Sequence, residues 1–223
     1  MHSDLYNSVI SDDALGDLLA QVNSEISGDS LSDVDKINDN LIKEAIGHLR
    51  KGKSDVDFDW KSEAFIHGID CLASPLAFIF KSFLIHGHIS NFLLLCALVP
   101  IIKDKLGDKT SSSNYRAIAI SSLFMKIFDW ILLILFGENL APSYYQFGFM
   151  KGCSTTQCSW VVTETVNYFT NRNTPVYCCL LDLTKAFDKV EFSTLFQKLR
   201  SHLPAVFLRL LIHSYQHQSC LVQ

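Results

Sequence analysis

Val176 Tyr177 Cys178 Cys179 Leu180 Leu181 Asp182 Leu183 Thr184 Lys185 Ala186 Phe187 Asp188 is the stretch from which the fold is read. Its first six residues form a continuous apolar run, partly β-branched and aromatic, and predict a buried strand. That strand would end at the carboxylate of Asp182, with the bulky ring of Phe187 five residues on. Outward from it the pattern turns helical. Ser154 would cap a helix to about residue 171, apolar at Cys158, Val161, Val162, Val166 and Phe169. Two further helices are expected after the strand, over 193–202 and beyond Pro204.

Towards the amino end, Asn38 would cap a helix over 38–50 with Leu41, Ile42, Ala45, Ile46 and Leu49 on one face. A longer helix is expected over 66–86, with Gly87 as its stop and Pro75 as a point of division or kinking. Residues 97–102 and 115–120 read as a hairpin across a charged, glycine-containing loop. Ser121 or Ser122 would then cap a helix to about Phe136. Residues 1–34 are acidic, serine-rich and weakly periodic, and are expected as loop or linker. The fold class is therefore α+β, with a few separated strands among helices.

The chain has 223 residues, 48% of them hydrophobic, with 16 phenylalanines, which excludes a disordered tail. The runs at 92–102 and 131–136 are short for a bilayer crossing, and the first residues lack the basic start of a signal peptide. A cytoplasmic or nuclear chain without membrane contact is expected. Residues 1–60 carry 13 acids against 5 bases and the remainder 10 against 14, so no strongly basic surface announces a nucleic-acid binder. Seven cysteines without a CxxC pair predict buried free thiols in a reducing compartment rather than a zinc site.

Phosphodiester synthesis uses two divalent ions held by hard oxygen ligands. A carboxylate at a strand end can bridge both, which makes Asp182 a candidate, and the carbonyl of Leu183 could complete one coordination shell. Phe187 could lie under a sugar and select against a 2′-hydroxyl. The competing reading makes Asp182 a turn cap, Phe187 a core aromatic and Asp188 a solvated first-turn acid. Lys103 and Arg116 flank the expected hairpin and could clamp a triphosphate. Gly148, after Gln146 and Phe147, would permit close backbone approach; a simple turn is the alternative. Lys151 and Lys185 could reach phosphate or remain solvated.

Several blocks resemble, in order, the reverse-transcriptase domain of non-LTR retrotransposons of the LINE type. They are Gly52 Lys53 Ser54, Leu98 Val99 Pro100 Ile101 Ile102 Lys103, Asn114 Tyr115 Arg116 Ala117 Ile118, Gln146 Phe147 Gly148 Phe149 through Gly152 Cys153 Ser154 Thr155, and Leu181 through Asp188. Ser214 Tyr215 Gln216 resembles the approach to the family's next strands. The resemblance implies a partial right-hand polymerase fold over 35–223, comprising fingers and the first part of the palm, with an incomplete sheet and packed helices. It implies Asp182 as the first catalytic aspartate, Phe187 as the sugar-selecting residue, and Lys103 and Arg116 as triphosphate contacts. Gln146, Gly148 and Ser154 would face template and nucleotide. The implied partners are an RNA template, a primer end and deoxynucleoside triphosphates, and the implied cofactor is a Mg2+ pair.

Departures accompany the likeness. Val56 and Phe58 stand where glycine and aspartate are usual, Ala117 replaces a proline, and Met150 stands where a cation is common. The family's second carboxylate block, an Ala-Asp-Asp hairpin, does not occur in this sequence. The expectation is a polymerase fragment that does not polymerise by itself. The alternative is a non-catalytic remnant that binds nucleic acid or protein.

Overall fold

The computed structural model describes residues 12–26, 32–54, 60–140, 143, 145–150, 152–183 and 186–222. They fall into two units, Asn139–Val190 and the rest of the chain. The architecture is mixed α and β: a small, unclosed three-stranded sheet packed with helices.

In the larger unit, β1 (Leu95–Ile102) pairs antiparallel with β2 (Tyr115–Ile120) and parallel with β3 (Ser219–Val222), giving the order β2-β1-β3. A proline inside a central strand is unusual because it cannot donate to the ladder. Pro100 is tolerated because β3 accompanies β1 only from Leu95 to Leu98. Lys103 N–H donates to Asn114 O in the β2 direction, so strand alternation turns residue 100 to the side where β3 has ended.

The helices of this unit are α1 (Asp12–Glu25), α2 (Asp39–Gly47), α3 (Ser62–His67), α4 (Ile69–His86), α5 (Leu123–Phe136), α7 (Phe192–Leu199) and α8 (Ala205–His217). Helix α1 lies within the segment expected as loop. Leu15, Leu18 and Val22, at helical spacing, are buried, and α1 packs on α8 from the far end of the chain. Asn38 caps α2 by accepting from Leu41 N at 3.0 Å. Its buried residues, Leu41, Ile42, Ala45 and Ile46, belong to the face read from the sequence.

The expected 66–86 helix is broken at Gly68, where a β-carbon would stand 2.8 Å from the Ala64 carbonyl. Pro75, in contrast, does not divide α4, which runs unbroken to a left-handed Gly87 (φ 65°). By length and a mean hydropathy of 1.4, α4 could cross a membrane, but it buries Ala73, Leu76, Ala77, Phe80 and Leu84 in the protein core. Phe80 stacks on the buried Phe128 of α5 with centroids 6.0 Å apart. Removing a ring so placed typically costs about 3–5 kcal/mol. Ser122 caps α5 by accepting from Met125 N and donates to Leu93 O at 2.7 Å, tying the helix to the turn before β1.

Cys96 and Cys220 face one another across β1 and β3 and are joined as a disulfide. The expectation of buried free thiols is corrected on both counts. Cys96 is buried and bonded, whereas the free Cys71, Cys153, Cys178 and Cys179 are exposed and Cys158 is half-buried.

The smaller unit contains α6 (Thr155–Thr170), opened by a reciprocal capping box between Ser154 and Gln157. Its apolar positions do not enter a core, and Trp160, Val161, Val162, Tyr168 and Phe169 are exposed. The strand expected over 176–181 is not formed. Residues 174–183 belong to neither helix nor strand, leaving Leu180 and Leu181 96% and 93% exposed. A buried strand needs partners on both edges and cover on both faces; these residues have neither.

Candidate functional site

The candidate residues divide between the two units. In the larger one, the β1–β2 hairpin carries Lys103 and Arg116. Arg116 stands opposite Ile101, and the Lys103–Asn114 bond extends the ladder by one position. Alternation therefore sets Lys103, Ile101 and Arg116 on one face of the hairpin. Both cations are exposed, and the Lys103 ammonium donates to Ser113 O at 2.8 Å.

The hairpin loop is organised by Asn114, a residue that sequence reading gave no separate role. Its Oδ1 accepts from Asp104 N at 3.0 Å, and its Nδ2 donates to the carbonyls of Asp104 and Asp108 at 2.9 and 3.2 Å. The Tyr115 hydroxyl donates to Lys109 O. The two loop acids are turned inward onto the loop itself. Asp104 accepts from Leu106 N, and Asp108 accepts from both the hydroxyl and the N–H of Thr110. Those bonds hold the Asp108 carboxyl below the usual range. Lys105, Lys109, Lys103 and Arg116 thus share a hairpin whose two carboxylates already have local partners.

In the smaller unit, Gln146 Nε2 donates to Gly148 O at 2.8 Å and closes a tight turn. Gly148 was expected to permit close approach, yet a β-carbon there would meet nothing within 4 Å. The left-handed backbone falls on its neighbour Phe149, with φ 60°. A bulky residue rarely adopts that conformation. The Phe149 ring meets the Phe187 ring edge to face, 6.3 Å between centroids. The turn and the sugar-selecting candidate are therefore brought together through an aromatic that spacing did not single out. Both rings remain exposed.

Asp182 lies in the 174–183 segment, without helix or strand, and is exposed, with Leu183 79% exposed beside it. It is neither at the lip of a sheet nor in the apolar interior. Lys151 and Lys185 lie outside the described residues, as do Val56 and Phe58, and so does the side chain of Asp188. Among the described residues no three His, Cys, Asp or Glu side chains are grouped so as to hold a metal ion. Asp182 and the Leu183 carbonyl would supply one carboxylate and one carbonyl; water and substrate phosphates complete a magnesium shell, but a metal pair calls for a second carboxylate, and none is grouped with Asp182 among the described residues. These two residues by themselves do not fit a two-metal centre.

Comparison with protein-family models and with curated proteins finds no match to this chain.

Proposed function

We propose that this chain is a fingers and first-palm portion of an RNA-directed DNA polymerase of the LINE type, and that its β1–β2 hairpin holds the triphosphate of a deoxynucleotide. The observation that carries the reading is the placement of Lys103 and Arg116 on one hairpin face, next to loop carboxylates that are already hydrogen-bonded. A forked guanidinium and an exposed ammonium suit neighbouring phosphates, and an exposed hairpin can meet them without burying unpaired charge. The ordered sequence blocks supply the rest. By that resemblance, Phe187 and the Gln146–Gly148 turn of the smaller unit take the family's sugar- and template-facing roles, and Asp182 with the Leu183 carbonyl its first metal-binding position. With that single carboxylate, the polypeptide binds nucleotide and template without extending a primer.

Titration with a fluorescent deoxynucleoside triphosphate at low salt tests the hairpin. Binding should weaken at least tenfold in Lys103→Ala/Arg116→Ala; affinity unchanged by that double substitution would refute the assignment. Primer extension on an RNA template with magnesium or manganese should yield no product. Extension abolished by Asp182→Asn would show instead that the site is complete.

A further inference from the structure

A second cationic feature of the larger unit lies outside the hairpin. The end of α2, the turn after it and the first turns of α5 enclose a cleft of about 240 Å³ lined by His48, Leu49, Arg50, Lys53, Leu123, Lys126 and Trp130. Its lining includes three permanent cations, of which Lys126 also interacts with the carboxylate of Asp129. Leu49 and Leu123 of this lining are buried, and the His48 ring stacks on Trp130 with centroids 4.1 Å apart and planes 13° from parallel.

The cations are presented by a fixed frame. Gly52 turns the chain with φ 73°. Its N–H donates to Glu63 Oε1 at 2.6 Å, while Lys53 N–H donates to Ser62 Oγ and Lys53 O accepts from Ser62 N. The Gly52 N–H is the main reason that the Glu63 carboxyl sits below the usual range, so this nearby acid is engaged by backbone and hydroxyl donors. Arg50 and Lys53 remain exposed at the mouth.

A concave site with an aromatic and aliphatic wall and several cations at its edge suits a ligand that joins a phosphate to a flat ring. We propose that this cleft binds a nucleoside phosphate, its phosphate held by Arg50, Lys53 and Lys126 and its ring against the Trp130–His48 pair. The same chemistry is offered by a free mononucleotide and by one residue of a single strand, in which bases stack on aromatic side chains with little sequence preference. This site does not depend on the hairpin's role.

The test uses Trp60→Phe/Trp160→Phe, two exposed positions, so that emission reports on Trp130 alone. The probes are uridine monophosphate, uridine, inorganic phosphate and an oligouridylate of about ten nucleotides. The monophosphate should bind at least tenfold more tightly than uridine or inorganic phosphate. For the oligonucleotide, three cations give a slope of log K against log salt of about −2, falling to about −0.7 in Arg50→Ala/Lys53→Ala. Tighter binding of the oligonucleotide than of the monophosphate identifies a strand as the ligand, and the reverse a free nucleotide. Inorganic phosphate or uridine equalling the monophosphate, or binding indifferent to the double substitution, would overturn the proposal. Calorimetry on the unsubstituted chain must give the same ranking. Lys103→Ala/Arg116→Ala should leave the Trp130 signal intact, which separates a failure of this site from a failure of the hairpin.

Discussion

The guanidinium of Arg209 covers Gly87, the left-handed residue that ends α4. Its Nη2 donates to the carbonyls of Leu84 and Ile85, the latter at 3.0 Å, so a cation from α8 occupies the carbonyl end of α4. A β-carbon on residue 87 would stand 2.7 Å from the Arg209 Cζ. Gly87→Ala should therefore combine a left-handed backbone cost of about 1–2 kcal/mol with loss of charge-assisted bonds, each worth about 1.5–3 kcal/mol. Arg209→Ala should lose the second part only. Chemical denaturation of both variants and their double should show a shortfall from additivity, because the two residues share one contact. Strict additivity would mean that Arg209 does not cap the helix in solution.

Cys96 and Cys220 close a covalent loop with a sequence separation of 124. Loss of a native disulfide typically costs about 2–5 kcal/mol. In a chain of this size each kcal/mol shifts Tm by about 2–4 °C. Reduction should lower Tm, Cys220→Ser should reproduce the fall, and reductant should then have no further effect. Alkylation and mass analysis without reductant should label five thiols, since five cysteines are free. Seven labelled thiols would show the bond absent.

Local chemistry made much of the larger unit legible in the sequence. Asn38, Ser122 and Gly87 act where their side chains, or lack of one, favour helix ends, and the β1–β2 hairpin forms where two apolar runs flank a polar loop. What escaped depended on distant partners. The acidic face of α1 conceals Leu15, Leu18 and Val22, whose burial comes from α8 nearly two hundred residues on. At the candidate site, Lys103 and Arg116 were legible as flanking the hairpin because its two strands are set by local patterning. The run before Asp182 was misread because a continuous apolar stretch becomes a strand only when other strands pair with it. The left-handed Phe149 left no trace in a motif whose glycine drew attention instead.

Three imidazoles meet on α8 and the turn after α4. His213 stacks on His217 with centroids 4.1 Å apart and meets the His88 ring at 4.8 Å. Its Nδ1 is buried without a hydrogen-bond partner. Desolvation foremost, then the charges of His217 and His88, lower its pKa from 6.5 to about 4. The unfolded chain takes up this proton more readily than the folded one. His213 therefore supports stability above pH 6.5, and that support drains away as pH falls towards 4. His213→Leu should flatten the dependence of the urea midpoint on pH across this window. Parallel curves for the variant and the unsubstituted chain would show that His213 titrates normally.

Hydrogen exchange distinguishes the two units most directly. Amides of α5 donate within a helix that buries Ile127, Phe128, Ile131 and Leu132, so their exchange requires opening of the core and should be the slowest in the chain. Residues 176–183 are in neither helix nor strand and are largely exposed, and their amides should exchange close to the rate of an unstructured peptide. Apolar side chains so exposed would gain by burial if strands from another polypeptide or a further segment paired with them, and protection would then rise at Leu180, Leu181 and Asp182 together. Slow exchange at those three amides in the isolated chain would show that the strand expected from the sequence does form, with Asp182 at its end.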